Sequence, residues 1–170
     1  LQDYARRVPE HAEVAAGFLG LLDGQGADPF QRSRLDGHFT GSAWLVSADG
    51  RRALLTHHRK LGRWLQLGGH ADGERDLAAV ALREAQEESG LSGLSLQAQA
   101  PFDLDRHWIP ERGDVPGHWH YDVRYVVRAG ADERFLVSEE SLDLAWREID
   151  ATAADAQADA GARWGVAAGV

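Results

Sequence analysis

The chain contains no cysteine and no methionine. Without cysteine, disulfides, thiolate–metal centres and cysteine nucleophiles are all excluded, and the composition fits a reducing cytoplasm, which is the expected location. Positive charge is scarce, with 18 Lys and Arg against 27 Asp and Glu for a net charge of −9. A protein that grips a nucleic-acid polymer clusters basic residues against phosphates, so no such partner is expected. Small phosphorylated ligands held through a local metal ion stay open. No apolar run approaches the ~20 residues that span a bilayer, and the apolar stretch at 18–22 is short and glycine-broken, unlike a signal peptide, so no membrane partner is expected either. There is no internal repeat or low-complexity linker. What is present, 170 residues with 44% hydrophobic side chains, suits one domain with a substantial core.

Val14, Phe18, Leu21 and Leu22 recur at helical spacing over 10–22, and Gly24, Gly26 and Pro29 end the pattern. This predicts an N-terminal helical extension over about 1–37, packed on the main body. Strands are predicted over 39–47 and 51–59, joined by the turn residues Ala48, Asp49 and Gly50. A short apolar segment covers 64–67, further strands are predicted over 94–102, 118–129 and 142–146, and an alanine-rich helix begins at Asp150. Mixed strands with intervening helices and short links indicate an α/β or α+β sandwich rather than a regularly alternating parallel sheet.

The densest chemistry lies in residues 68–91, GGHADGERDLAAVALREAQEESGL. It reads as a glycine loop, a helix over 76–89, and a stop at Gly90, with Leu91 placed to close back on the helix. At ~100° per residue, Glu84, Glu87 and Glu88 share a face with Leu77, Val80 and Ala81. Three carboxylates continuing an apolar stripe repel one another and lose hydration, and a bound cation is the simplest way to keep them ionised. Oxygen-only ligation favours Mg²⁺, Mn²⁺ or Ca²⁺ over zinc.

These residues resemble the Nudix box: G, five residues, E, seven residues, then R-E-U-x-E-E-x-G-U, with U aliphatic. In register on Gly69, the residues Arg83, Glu84, Glu87, Glu88, Gly90 and Leu91 fall where the pattern needs them, and seven of its nine constrained positions match over 69–91. The resemblance implies a Nudix-like α/β/α sandwich around a mixed β-sheet, covering about 38–150 within a single domain of 1–170. It implies hydrolysis of a nucleoside diphosphate linked to some other group, with Mg²⁺ or Mn²⁺ as cofactor and a small nucleotide or other diphosphate as partner. Glu84, Glu87, Glu88 and the Gly68 carbonyl then match the metal ligands, and Arg83 orients carboxylates. The general base comes either from the box helix or from a later loop, where Glu140 is the first candidate and the acidic stretch 111–114 a weaker one. Dimers are frequent in the family, so a homodimer is a further expectation, although no segment marks an interface. Two positions depart from the pattern. Ala85 replaces an aliphatic residue, and Arg75 stands where a supporting glutamate is expected, with Glu74 able to substitute if the loop slips by one residue.

Other residues are candidates for the cleft. His118 and His120 alternate along one strand and face the same side, where, with His70 and His107, they can line the cleft, contact phosphate or switch protonation near neutral pH. A zinc site built on His118 and His120 lacks a third ligand in the sequence. His57 and His58 point to opposite strand faces. Trp64, Trp108, Trp119 and Tyr121 suit stacking on a base, and Arg59, Lys60, Arg63, Arg106 and Arg112 suit diphosphate oxygens; none is selected by spacing. His70, His118, His120, Arg59 and Trp108 form the expected substrate-binding set. The main expectation is a metal-dependent hydrolase of a phosphoanhydride. The alternative is a Nudix-fold ligand-binding or regulatory module impaired in turnover, kept open by Arg75. A diphosphate isomerase on the same fold is a third reading, and the lack of cysteine excludes its thiol-dependent form.

Overall fold

The computed structural model describes residues 1–59, 62–137 and 141–149. Among them, three α-helices, α1 (Gln2–Arg7), α2 (Ala12–Asp23) and α3 (Leu77–Ser89), accompany eight strands. These are β1 (Gly37–Val46), β2 (Arg52–His58), β3 (Arg63–Leu65), β4 (Leu67–His70), β5 (Ser95–Leu96), β6 (Asp103–Ile109), β7 (His118–Arg128) and β8 (Ser141–Glu148). All eight join one mixed sheet with the path β3-β2-β1-β7-β5, to which β4 adds on β1, β6 on β7 and β8 on β2. Only β1 and β7 pair in parallel, in an unbroken register from Gly37↔Trp119 to Val46↔Arg128. No helix among the described residues is long and apolar enough to cross a membrane.

The parallel pair sorts its side chains by parity, as the two-residue strand period requires. Phe39, Ala43, Leu45, Val123 and Val127 enter the core, which also takes Phe18 of α2 and Leu77, Val80 and Ala81 of α3. Phe18 meets Tyr121 edge-on at 5.2 Å and Phe39 at 6.0 Å, so α2 of the N-terminal segment packs on the sheet. Its first helix, α1, was not foreseen; Tyr4 anchors it, its hydroxyl lying 2.8 Å from His11 Nδ1 and donating to Asp103 at 3.3 Å.

Helix α3 begins and ends where its residues dictate. The Asp76 carboxylate accepts from the backbone N–H groups of Ala78 and Ala79, both at 3.1 Å, and Gly90 closes the helix at φ 67°. The strand predicted over 94–102 is corrected to the two residues of β5, and the strand that follows, β6, has no counterpart among the predicted strands. The sequence of β6, DLDRHWI, looks polar, but its inward carboxylates are neutralised by Arg124 of β7, at 2.9 Å from Asp103 and 2.8 Å from Asp105. The helix expected from Asp150 lies outside the described residues.

Gly41 of β1 sets how close α3 can lie to the sheet. A Cβ there would fall 2.8 Å from the Leu77 carbonyl oxygen and 3.0 Å from Val80 Cβ. Gly41→Ala is therefore expected to lower unfolding free energy by about 1–3 kcal/mol, the range of overpacked cores. Gly20→Ala, where nothing lies within 4 Å in α2, is expected to raise it by roughly 0.5–1 kcal/mol. Urea unfolding of both variants checks the contrast.

Candidate active site

The open face of the parallel pair and the carboxylate edge of α3 enclose a cleft of about 1370 Å³. Glu84, Glu87 and Glu88 all line it, as do Gly68 and Gly69 of β4 opposite them. The glycine pair is required by closeness. A Cβ at Gly69 would sit 2.6 Å from Glu84 Cδ, and one at Gly68 would meet Ser42 Cα at 2.8 Å. The Gly68 N–H donates to Glu88 Oε1 at 2.8 Å, fixing that carboxylate against the strand. Arg83 donates to Glu84 Oε1 at 2.9 Å and to the His70 carbonyl at 3.4 Å, so it holds Glu84 rather than the Glu87 one turn further on. Glu87 is exposed and makes no hydrogen bond among the described residues.

Loop 71–76 resolves where the off-pattern residue goes. Asp72 and Gly73 take positive φ, 48° and 93°, which swings Arg75 off the cleft and onto the Phe30 ring, 4.9 Å from its centroid, with an ion pair to Asp28 at 3.3 Å. Glu74 lines the cleft instead, its Oε1 accepting from the Asp76 N–H at 2.9 Å.

The cleft floor carries a network that spacing along the sequence does not reveal. Asp122, 1% exposed, accepts from Thr40 at 2.8 Å, Ser42 at 2.7 Å, Gln66 at 3.3 Å and Arg124 at 3.0 Å. Burial alone would raise the Asp105 carboxyl, but the His107 hydrogen bond and the Arg124 guanidinium outweigh it and hold it below the usual carboxylate range. The signal that could have located these groups is parity: residues 40, 42, 122 and 124 are polar positions on one face of two buried strands.

Other predicted residues divide. His70, His107, His120 and Trp108 line the cleft, Trp108 with half its surface exposed. His118 does not; it is buried behind His120, with its Nδ1 2.8 Å from the Pro116 carbonyl. Arg59 is committed to the Ser141 carbonyl at 2.9 Å, outside the cleft, and among the proposed cations Arg63 is the one that lines it. Arg106 stacks over Trp119 at 4.7 Å, and His57 stacks on Trp64 at 5.1 Å, while His58 lines the cleft. Glu140 and Lys60 lie outside the described residues. Burial, then the neighbouring imidazoles of His70 and His38, push His120 down to about 2. Burial and the Arg32 charge bring His70 to about 4. Both rings are neutral near pH 7.

The mixed sheet and a glutamate-bearing helix laid against a glycine strand set three carboxylates on one wall of a large polar cleft. Residues 37–165 match the family model described as NUDIX domain, and the chain belongs to the Nudix family of pyrophosphohydrolases. Among solved structures, it is similar to a NUDIX-family hydrolase from Clostridium perfringens, with 28% identity, 65% of this chain and 81% of that one covered, and a TM-score of 0.52. Two more distant likenesses show the fold alone. They are the E. coli dihydroneopterin triphosphate pyrophosphohydrolase, at 16% identity, coverage of 68% and 84% and TM-score 0.53, and a C. elegans Ap4A hydrolase binary complex, at 15%, 68% and 83%, and 0.52. No protein of curated function matches the chain in sequence.

Arg124 supplies the test of the buried network. With it in place, Asp105 contributes stability that is present above the unfolded carboxyl pKa of about 3.9 and is lost as pH falls through the lower folded value. Arg124→Leu leaves buried carboxylates uncompensated, an expected loss of about 3–5 kcal/mol at pH 7. Without the guanidinium, burial is expected to raise the folded pKa of Asp105 above its unfolded one, so the variant is expected to regain stability as pH falls from 7 toward 4, whereas the wild type does not. Urea midpoints across that range read the opposite slopes.

Proposed function

We propose that the chain is a divalent-metal-dependent pyrophosphohydrolase that cleaves the diphosphate bond of a nucleoside diphosphate derivative. The observation that carries this reading is the placement of three carboxylates on one cleft wall, against a strand whose glycines leave room for little else. Donors of this set are all oxygen, which fits Mg²⁺ or Mn²⁺. Glu84, Glu87, Glu88 and the Gly68 carbonyl would hold the ion. Bound there, it would neutralise diphosphate charge, polarise phosphorus and acidify a water.

The chain's own groups supply the remaining work. Arg83 fixes Glu84 and the Gly68 N–H fixes Glu88, so two of the carboxylates are held before substrate arrives. Glu87, without such a partner, would hold the ion through one carboxylate oxygen and in this reading accepts a proton from the attacking water on the other. Arg63 faces the substrate's phosphate oxygens, and Trp108, half-exposed at the cleft, offers a face for a base. The cleft exceeds the ~300–1,000 Å³ usual for small-molecule sites, which suits an extended two-part substrate.

Arg75 kept a non-catalytic binding module in view. Its position on Phe30, with Glu74 at the cleft, favours turnover, because the supporting carboxylate is present one residue early. A panel of nucleoside diphosphate derivatives assayed with Mg²⁺ or Mn²⁺ tests the proposal. Wild type is expected to release product from at least one member, and Glu87→Gln and Glu88→Gln to lose at least about 100-fold in kcat, the scale of one lost acid–base group. Metal-independent activity, or variants equal to wild type, would contradict it. Arg75→Glu is expected to stay within about tenfold of wild type, or ~1.4 kcal/mol in the barrier.

A further inference from the structure

Five of the eight histidines gather beside the parallel strand pair, and three of them bring ring nitrogens to one point. His38 of β1 sits opposite His120 in the register of the parallel pair, and His118 lies two residues earlier on the same face of β7. One ligand atom from each of His38, His118 and His120 lies within 4.8 Å of the other two. His38 is the third imidazole that the sequence alone did not offer.

The hydrogen bonds fix which nitrogen of two rings is bare. His38 Nδ1 lies 3.1 Å from the Arg34 carbonyl and His118 Nδ1 lies 2.8 Å from the Pro116 carbonyl. A carbonyl only accepts, so each Nδ1 carries the proton and each Nε2 presents a lone pair. Both rings are buried, at 2% and 6% exposure. His120 Nε2 lies 3.3 Å from His118 Nε2 and can donate one N–H to it, whereas His38 Nε2 is buried with no hydrogen-bond partner among the described residues. One proton cannot satisfy two inward lone pairs. A cation between the rings satisfies all three, and a backbone carbonyl on the far nitrogen is the usual way a metal-binding histidine is oriented.

We propose that His38, His118 and His120 form a second metal site, specific for a borderline d-block cation such as Zn²⁺, beside the cleft and separate from the carboxylate site. Two imidazoles on a tetrahedral ion with Zn–N near 2.0–2.1 Å stand about 3.3–3.4 Å apart. The His118–His120 pair is already at 3.3 Å, and since no pair in the set is wider than 4.8 Å, a closure of at most about 1.5 Å reaches the same geometry. Nitrogen donors select Zn²⁺ or Co²⁺ over Mg²⁺, whereas an all-oxygen set accepts the abundant Mg²⁺, so donor type distinguishes the two sites. Three protein ligands leave a fourth position open, as in sites that hold water or substrate. Because His120 also lines the cleft, occupancy ties the second ion to the wall of the substrate site.

The test is a titration of the full, untagged, chelator-treated chain with Co²⁺, followed by visible absorption, and then displacement by Zn²⁺. One equivalent is expected to saturate an intense tetrahedral band. His38→Gln and His118→Gln are each expected to weaken Zn²⁺ binding at least about 100-fold, beyond the loss from an outer-shell partner. Glu87→Gln is expected to leave it within about twofold, which separates this site from the carboxylate set whatever the fate of the proposed hydrolysis. X-ray absorption of the Zn²⁺-loaded wild type needs no substitution and is expected to show imidazole nitrogens at the ion. No stoichiometric binding, an oxygen-only shell, or folded histidine variants that bind like wild type would overturn the site.

Discussion

The close approach of α3 to the sheet is the constraint on which the rest depends. Gly41 lets the helix backbone settle on β1, Gly69 lets β4 pass Glu84 with no side chain between, and Gly68 lets β4 lie against Ser42 of β1. At that distance a strand N–H reaches Glu88 and a neighbouring arginine steadies Glu84, so charges that would otherwise avoid a half-buried wall are held there. A side chain at Gly41 or Gly69 would move the helix and disperse the carboxylates. Packing and chemistry therefore share one cause.

The parallel pairing of β1 with β7 is the second organising feature. It places polar positions of two strands far apart in sequence on one open face: Thr40 and Ser42 on Asp122 at one level, and His38 beside His118 and His120 at another. The lower level is stabilised by charge, since Arg124 spans three aspartates. The upper level is made of imidazoles. One face of one strand pair thus carries two kinds of polar chemistry, beside a third at the edge of α3.

Helix α3 was legible in the sequence because its signals are local. An Asp76 cap, an apolar stripe and Gly90 all lie within fifteen residues, and each acts on its own backbone. The box spacing made the carboxylate wall legible for the same reason. Strand β6 was not, because its aspartates look solvated until Arg124, about twenty residues later, is seen to neutralise them. His38 was invisible as a partner of His118 and His120 because eighty residues separate them and only the parallel register brings them together. Arg59 donates to the Ser141 carbonyl on β8, a contact that no spacing rule encodes.

The central claim is that the carboxylates of α3, and not the imidazoles, hold the catalytic ion. Electron paramagnetic resonance of Mn²⁺ titrated into the purified chain tests it directly, because Mn²⁺ prefers carboxylate oxygen to imidazole. Wild type and His38→Gln are expected to bind the ion alike, and Glu84→Gln and Glu88→Gln to release it into solution. Mn²⁺ binding that survives the glutamate substitutions but fails in His38→Gln would contradict the assignment.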